Sequence, residues 1–207
     1  MNHQWKNLIS HDPHKILLGN TDITVHDGVF TPDSNLTYST TQILNFLKTL
    51  DLRNKKILDL GCGTGIIGIS CLLGGAEKVT FSDVSQKAIE NTLLNLGNNN
   101  LLDKSEVVNS DLFENIHDKF DFIFANLPIA NELWLPEINE DTQGLLKRFL
   151  EKVPNFVNRN GKVIFNWASF ASLEELKTYL QKFNYQFNLF EEKKLGHDWY
   201  VVEIRFD

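Results

Sequence analysis

The segment KKILDLGCGTGIIGIS, Lys55–Ser70, decides the fold of this chain. Its apolar residues predict a short buried strand that ends at Leu60, because Gly61, Gly63 and Gly65 cannot continue it. The isoleucine-rich run that follows predicts the start of a helix. Glycine suits such a turn because the backbone takes conformations that a Cβ disfavours, and because a ligand can lie against bare backbone at a helix N-terminus. The segment therefore predicts a strand, a ligand-binding turn and a helix.

The glycine spacing alone is compatible with two classes of ligand. Gly63, Gly65 and Gly68 match the GxGxxG spacing of dinucleotide sites. Asp59, however, comes just before the first glycine of the turn. A carboxylate at that point would repel a pyrophosphate and attract a ligand that carries positive charges. S-adenosylmethionine carries an ammonium and a sulfonium, so Asp59 favours it over a dinucleotide.

With this acidic residue in place, the chain resembles the class I S-adenosylmethionine-dependent methyltransferases. Their first motif is an acidic residue followed by GxGxG, which corresponds here to Asp59 through Gly65. The resemblance covers nearly the whole chain from residue 30 onward and is closest to the small-domain type that methylates amino groups. It implies that the cofactor is bound by Asp59 and by four residues of the turn: Gly61, Cys62, Gly63 and Gly65.

Two further acids follow apolar strands. Asp83 ends the strand KVTFSD, where a carboxylate can accept hydrogen bonds from ribose hydroxyls, and the resemblance implies that role for it together with Val84. Asp83 could also cap the next helix, although Ser85 can do so instead. Asp111 follows the strand SEVVNS, and the resemblance implies that Asp111 and Leu112 hold the adenine ring.

The placement of these three acids has a meaning that does not depend on the resemblance. Asp59, Asp83 and Asp111 each come at or just after the end of an apolar strand. A parallel sheet would gather them on its carboxyl edge, where open α/β sheets bind their ligands. Acids scattered over a surface would not follow strands in this way.

A fourth strand, FDFIFAN, runs into Asn126-Leu127-Pro128-Ile129. Many methyltransferases that act on amino groups carry Asn/Asp-Pro-Pro-aromatic at this point. Asn126 and Pro128 match, which implies that they form the catalytic pair, with the Asn126 amide orienting the acceptor nitrogen beside the cofactor. Leu127 and Ile129 do not match, so the aromatic face against a planar acceptor is missing. Trp134 could replace it, or could belong to a hydrophobic lid or a core edge.

The segment GVFTP, residues 28–32, precedes the core. Phe30-Thr31-Pro32 resembles a segment of several amino-methyltransferases, and GVF followed by a polar loop is similar to ribosomal RNA guanine-N2 methyltransferases. This resemblance implies that Thr31 and Tyr38 contact the methionine end of the cofactor. The alternative is that Phe30 is a core residue and the rest is a loop before the next helix.

Strands and helices alternate along most of the chain. Strands are predicted at 56–60, 78–83, 105–109, 120–126 and 161–167, and two closing strands, 185–194 and 198–206, follow a helix at 172–183. This order predicts an α/β fold with a doubly wound, mostly parallel, seven-stranded Rossmann-like sheet and an antiparallel closing strand. A β-hairpin over 15–25, with its turn at 19–22, should cover one edge of the core. We divide the chain into an N-terminal hairpin and cofactor-covering loop, 1–38, and a methyltransferase domain, 39–207.

Composition excludes several classes of protein. With 207 residues, 42% of them hydrophobic and 23% charged, the chain should form one globular domain. It has no apolar run long enough for a membrane span or a secretory signal, so we expect a cytoplasmic protein. Two cysteines form neither a disulfide framework nor a metal motif, and His11 and His14 lack a third ligand, so no metal is expected.

Three classes of acceptor remain open within the methyltransferase interpretation. A protein side-chain nitrogen, as in the release-factor and ribosomal-protein methyltransferases that the chain resembles, fits the net charge of −7, which counts against a broad RNA-binding face. An RNA exocyclic amine fits the GVF segment, and a small molecule fits the divergent NLPI. An NAD-binding oxidoreductase or a cofactor-sensing protein without activity is the remote alternative. His197 and Asp198, in the last connecting turn, could approach the site or simply form a hairpin tip.

Overall fold

The computed structural model describes residues 8–9, 12–18, 21–35, 37–128 and 142–207. Several residues singled out in the sequence lie outside this part of the chain: His11, Gly19, Asn20, Ile129 and Trp134. Within the described residues, no helix combines the length and the apolar character needed to cross a membrane.

Strands and helices alternate through the middle of the described chain, and consecutive strands occur at β1–β2, β5–β6 and β8–β9. The strands are β1 His14–Leu18, β2 Thr21–Val25, β3 Lys56–Leu60, β4 Lys78–Asp83, β5 Ser105–Asn109, β6 Phe120–Ala125, β7 Val157–Ala168, β8 Gln186–Lys194 and β9 His197–Arg205. The helices are α1 Ser39–Leu47, α2 Ile66–Leu73, α3 Gln86–Asn98, α4 Thr142–Lys152 and α5 Leu173–Lys182.

Seven strands form one sheet in the order β5-β4-β3-β6-β7-β9-β8. Strands β3 to β7 pair in parallel, whereas β9 runs antiparallel to both of its neighbours, β7 and β8. The predicted doubly wound sheet with an antiparallel closing strand is therefore confirmed. The strand order reverses between β3 and β6, and a crevice forms at such a point outside the carboxyl ends of the strands.

The central strands of the sheet are buried on both faces, as expected for parallel strands covered by helices. Successive residues of β3 point to opposite sides, so Ile57 packs in the core with α1, α2 and α3, while Leu58 packs in the core with α4 and α5. Both side chains are fully buried. Burying such a side chain stabilises a fold by about 1.5–3 kcal/mol, so the apolar runs that predict the strands also hold the layers together.

Strand β7 begins earlier than predicted. The sequence predicts a turn at Asn160-Gly161 and a strand from 161, but the strand extends over Val157–Ala168 and contains an irregularity. Val157 pairs with Phe120, and the register then shifts, because Lys162 pairs with the residue two positions further along β6. Asn160 has a φ of 62°, a left-handed conformation that asparagine tolerates, so the turn signal marks a bulge inside a strand.

The N-terminal hairpin forms, but not along an edge of the sheet. Strands β1 and β2 make a separate antiparallel pair, and Thr21 belongs to β2 and not to the predicted turn. The hairpin contacts α3 through two fully buried asparagines. The Asn95 Oδ1 accepts a hydrogen bond from the Thr24 backbone N–H (2.9 Å), and Asn91 bonds the backbone of Thr24 and His26. These amides attach the hairpin to α3, and the buried Ile23 and Val25 of β2 join the core on that side.

The closing hairpin turns at Leu195-Gly196, where both residues have positive φ (53° and 76°). His197 and Asp198 therefore lie in β9 and not in the predicted turn. The physical reason is that two residues of left-handed conformation suffice for a tight hairpin turn, so the strands extend to either side of it.

Candidate functional site

A cleft runs across the carboxyl ends of β3 to β7. Most of the predicted site residues border it: Gly61, Cys62, Gly63, Asp83, Val84, Asp111, Leu112, Asn126 and Pro128. Thr31, Tyr38, Asp59 and Gly65 lie behind this wall. The strand order divides the cleft into two halves, which we name after the strands that border them: a β4–β5 half around Asp83 and Asp111, and a β6–β7 half around Asn126. The glycine turn lies between them.

Two glycines show why the turn needs this residue type. Gly63 has a φ of 55°, and a Cβ at this position would meet no atom within 4 Å, so its backbone opens onto the cleft. Gly68 lies on α2, where a Cβ would overlap the ring of Phe81 on β4. The first glycine exposes backbone to a ligand, and the second lets the helix pack tightly on the sheet.

Asp59 is buried beneath the turn. One of its carboxylate oxygens, Oδ2, accepts a hydrogen bond from the Gly68 backbone N–H at 2.8 Å. The other, Oδ1, is buried and has no hydrogen-bond partner within the described chain. Burial, together with the nearby charge of Asp83, raises the pKa of Asp59 to about 7. The carboxylate therefore anchors the N-terminal turn of α2 and keeps one oxygen unsatisfied.

Asp83 connects the glycine turn to the start of α3. Its Oδ2 accepts a hydrogen bond from the Gly63 backbone N–H, and its Oδ1 accepts one from the Ser85 backbone N–H, both at 2.9 Å. Ser85 is the N-cap residue, but its side chain makes no capping bond. Each carboxylate oxygen has a further lone pair, so Asp83 can hold the backbone and still accept hydrogen bonds from hydroxyls in the cleft.

Asp111 forms a two-point ion pair with Arg148 of α4. The guanidinium donates from Nη1 to Oδ2 and from Nη2 to Oδ1, each over 3.0 Å. The two side chains are partly exposed, 41% for Asp111 and 30% for Arg148. The sequence does not identify this arginine as a site residue, because nothing in the spacing connects position 148 to position 111.

Asn126 lies at the carboxyl end of β6 with its amide held in one orientation. Its Nδ2 donates a hydrogen bond to the Thr40 hydroxyl at 3.2 Å. Thr40 comes from the first turn of α1, is 2% exposed and also borders the cleft. Because the NH₂ end is engaged in this way, the Oδ1 end is the part of the amide available as an acceptor.

Aromatic side chains line the β6–β7 half of the cleft, although the residue expected after Pro128 is absent. Phe170, after β7, and Trp199, on β9, both border the cleft, and their rings meet edge to face at 5.5 Å. The Trp199 indole N–H donates to the Lys194 carbonyl, which fixes the ring. Tyr38 packs against Trp199 from behind, and its hydroxyl donates to Glu192 at 2.7 Å.

The segment before α1 closes the cleft on another side. Val29, Phe30 and Pro32 border the cleft, whereas Thr31 points away from it and is buried. The Thr31 backbone N–H donates to the Leu8 carbonyl at 2.7 Å, and its hydroxyl has no hydrogen-bond partner within the described chain. The segment therefore contributes apolar surface to the cleft through the neighbours of Thr31.

The cleft suits S-adenosylmethionine on the evidence of its own residues. It has bare glycine backbone at a helix N-terminus, carboxylates at the ends of neighbouring strands and an orphaned buried carboxylate oxygen on Asp59. Among the described residues there is no cluster of three histidine, cysteine, aspartate or glutamate side chains that could hold a metal ion, and Cys62 and Cys71 are free and buried.

Comparison with known proteins gives a consistent result. The family model described as "Methyltransferase small domain" matches residues 20–202. A protein of Methanocaldococcus jannaschii, provisionally named a protein N5-glutamine methyltransferase, is 27% identical over 190 residues, which cover 87% of this chain and 92% of that protein. The ribosomal protein L11 methyltransferase of Lactobacillus johnsonii is 28% identical over 72% of this chain, which spans only 42% of that protein.

Solved structures share the fold. The 16S rRNA N2 G1207 methyltransferase of T. Thermophilus, in complex with AdoMet and guanosine, superposes with a TM-score of 0.74 and 18% identity, over 95% of this chain and 50% of that one. The ribosomal protein L11 methylase of Lactobacillus delbrueckii subsp. bulgaricus superposes with a TM-score of 0.68 and 19% identity, over 88% and 84% of the two chains.

Proposed function

The chain belongs to the methyltransferase small domain family and is an S-adenosylmethionine-dependent methyltransferase, and from this premise we propose that it methylates a nitrogen of a protein side chain. The observation that carries the proposal is the Asn126 amide, held by Thr40 at the carboxyl end of β6. An amide in this orientation presents an oxygen that can accept a hydrogen bond from an acceptor N–H. It can thereby aim the nitrogen lone pair at the methyl group.

S-adenosylmethionine supplies an activated methyl group, so the chain has mainly to position the two reactants and exclude water. We assign ribose binding to Asp83, adenine binding to Asp111 with Leu112 and Val84, and contact with the methionine end to the glycine turn. Asn126 and Pro128 orient the acceptor. Asp59 lies beneath the turn and attracts the positively charged cofactor. Thr31 and Tyr38 do not contact the cofactor, and they support neighbouring residues that border the cleft.

A protein acceptor is favoured by the charge of the chain and by its relatives. The net charge of −7 gives no general attraction for a phosphate backbone. The M. jannaschii relative, whose provisional name refers to protein glutamine, matches along nearly the full length of both chains. The L11 methyltransferase, whose name also refers to a protein acceptor, extends well beyond the part that this chain matches. An amide nitrogen is planar, and Phe170 and Trp199 offer it a flat apolar wall.

The second candidate is an exocyclic amine of RNA. The rRNA methyltransferase structure that shares the fold holds guanosine, a planar acceptor of similar shape. Val29 and Phe30 border the cleft, as the resemblance of the GVF segment to guanine-N2 methyltransferases implies. A small-molecule acceptor would fit the same wall. The experiment therefore compares all three classes of acceptor.

The test is transfer of tritiated methyl groups from S-adenosylmethionine into a cell lysate. The lysate is first depleted of its own cofactor and incubated with the wild-type chain or with Asn126→Ala, which serves as the inactive control. Label is then measured after protease digestion, after nuclease digestion and in the filtrate of small molecules. We expect wild-type-dependent label in large material that protease releases and nuclease does not.

Label released by nuclease, or label found in the filtrate, would contradict the protein acceptor and identify the other class. Calorimetry with S-adenosylmethionine and NAD separately tests the remote oxidoreductase alternative, for which NAD should bind and S-adenosylmethionine should not. The cytoplasmic location and the division of the chain at residue 38 stay predictions.

A further inference from the structure

We propose that Arg148 is a positioning residue that holds the Asp111 carboxylate against the adenine amino group and so determines the preference of the site for adenine over 6-oxopurines. The proposal rests on the adenine-binding role assigned above to Asp111. Arg148 would not touch the cofactor itself. It would act by fixing the orientation of the carboxylate that does.

The two-point contact restrains the carboxylate in a way that a single bond would not. Both oxygens of Asp111 accept from the same planar guanidinium at 3.0 Å, so the carboxylate cannot rotate without breaking one of the two bonds. Each oxygen uses one lone pair toward Arg148 and keeps another. An amino N–H in the cleft can therefore bond an oxygen whose direction is already set.

The restraint from Arg148 matters for ligand binding because the Asp111 side chain is partly exposed. Asp111 is 41% exposed, so without Arg148 its side chain could adopt several rotamers and bond to water. Ordering it on ligand binding would then cost conformational entropy and weaken the binding. An exposed ion pair contributes little to fold stability, so stability alone gives no reason for so regular a geometry.

The helix that carries Arg148 faces the cleft at a second point. Leu145 lies three residues earlier on α4, on the same side of the helix, and borders the cleft. Arg148 is thus at the rim of the cleft and not on a remote surface. Asp111 reaches the same rim from the loop after β5, on the opposite side of the bond.

The test measures binding of two ligands whose purines differ in the 6-substituent and, with it, in the proton on N1. S-adenosylhomocysteine carries the amino group, and S-inosylhomocysteine carries a carbonyl oxygen, which a carboxylate repels. Calorimetry on the full chain compares wild type, Arg148→Gln and Asp111→Asn. The matched control is Arg53→Gln, because Arg53 forms a similar two-point pair with Asp51 and both residues lie outside the cleft lining.

We expect wild type to prefer S-adenosylhomocysteine, and Arg148→Gln to reduce that preference by about 3–10-fold, the scale of one ordinary hydrogen bond, because the Asp111 carboxylate remains but is no longer held in one orientation. The control should leave the preference unchanged. Arg148→Lys, which retains the charge without the planar fork, should restore only part of it. Thermal melting of each variant checks that it is folded.

An unchanged or stronger preference in Arg148→Gln would overturn the proposal, as would an equal loss of affinity for both ligands. If Asp111→Asn retains the wild-type preference, the adenine-binding role of Asp111 is wrong and the proposal fails with it. If wild type binds neither ligand while the protein is folded, the cofactor site itself is misassigned, which is a different result.

Discussion

The two halves of the cleft are built from the sequence in different ways. In the β4–β5 half, the two carboxylates of Asp83 and Asp111 border the cleft, and Asp83 also holds the glycine turn through the Gly63 N–H. In the β6–β7 half, Asn126 is held by Thr40 of α1, and the wall is completed by Phe170 and Trp199. The first half comes from consecutive strand ends, whereas the second brings together residues that lie far apart in the chain.

The difference also extends to charge. The β4–β5 half presents carboxylates, which suit ribose hydroxyls, an amino group and a positively charged ligand. The β6–β7 half presents a neutral amide and aromatic rings, which suit an uncharged nitrogen nucleophile. Substitutions in the β4–β5 half should therefore change cofactor affinity. Substitutions in the β6–β7 half should change turnover or acceptor affinity. The predictions below test that separation.

The largest effect should come from Asn126→Ala. Loss of a preorganised hydrogen-bonding group that orients the acceptor should lower kcat by about 10²–10³-fold. The affinity for S-adenosylhomocysteine, measured by calorimetry, should change little, because the cofactor is held mainly by the other half. Methyl transfer from tritiated cofactor measures the turnover.

The matched control is Asn98→Ala, at the end of α3, where the side chain is exposed and outside the cleft lining. It should leave both quantities unchanged. Full turnover in Asn126→Ala would remove this residue from the acceptor site. A loss of cofactor affinity as large as the loss of turnover would mean that the two halves are not separable.

Asp83→Asn should be the strongest substitution in the β4–β5 half. It replaces an oxygen that accepts a backbone hydrogen bond with an NH₂ group, and it removes a charged acceptor for hydroxyls. Hydrogen bonds to charged groups contribute about 1.5–3 kcal/mol, so we expect cofactor affinity to fall by about 10–100-fold. Calorimetry with S-adenosylhomocysteine measures this loss.

Asp121→Asn is the control for Asp83→Asn. Asp121 likewise accepts a backbone N–H, from Lys56 at 2.9 Å, but it lies at the amino end of β6, on the opposite edge of the sheet. Its substitution should affect thermal stability without changing cofactor affinity. Equal losses of affinity in both variants would indicate general destabilisation and not the loss of a binding group.

The contrast between the two halves also explains which parts of the fold and of the cleft the sequence predicts. The mostly parallel sheet and the positions of Asp83 and Asp111 are predictable, because apolar runs define the strands and a parallel sheet places their ends together. The wall of Phe170 and Trp199 is not predictable in this way. It depends on the pairing of Ala168 with Trp199 across β7 and β9, a register that no local pattern specifies.

Asp59 shows a different limit. Its distance from the glycines suggests contact with the ligand, but side chains alternate along a strand, and the structure places Asp59 beneath the turn with its Oδ2 on the Gly68 N–H. Arg148 shows a third limit, because a helix far along the chain supplies the partner of Asp111. The sequence thus predicts the strand ends well and the partners of their side chains poorly.

Phe170→Ala should have a moderate effect, confined to the acceptor. Stacking on an aromatic ring contributes about 1–3 kcal/mol for a base and less for an amide, so we expect the KM for the acceptor to rise by about 3–10-fold. Cofactor affinity should not change. Phe170→Tyr should retain most of the function, since the flat face remains.

Phe190→Ala is the control, because Phe190 is 43% exposed on β8 and packs against Phe46, away from the cleft. Initial rates of tritium transfer at several acceptor concentrations give KM and kcat separately. A change in kcat alone, or a loss of cofactor affinity, would show that Phe170 does not form the acceptor wall.

The smallest effect concerns the protonation of Asp59. Its pKa is about 7 in the folded chain against an ordinary value of 3.8, so between these values the folded state holds a proton that the unfolded state has lost. The contribution of Asp59 to stability must therefore fall as pH rises from about 4 to about 7, and must be constant above that range. The difference in unfolding free energy between wild type and Asp59→Asn, measured in urea at several pH values, should show this slope.

A positively charged cofactor should offset part of the cost of ionising the buried Asp59 carboxyl group. Its charges favour the ionised carboxylate, so binding should lower the pKa of Asp59 and release a fraction of a proton near pH 7. A shift of about half a pKa unit corresponds to about a threefold gain in affinity for S-adenosylmethionine above pH 7 relative to pH 6. The gain is measured as the pH-dependent change in binding free energy of the wild type minus that of Asp59→Asn, because this difference removes the titration of the ligand itself. Proton release is measured by calorimetry in buffers of different ionisation enthalpy. If the two proteins show the same pH dependence, Asp59 does not sense the charge of the ligand, and its carboxylate serves only to hold the Gly68 N–H.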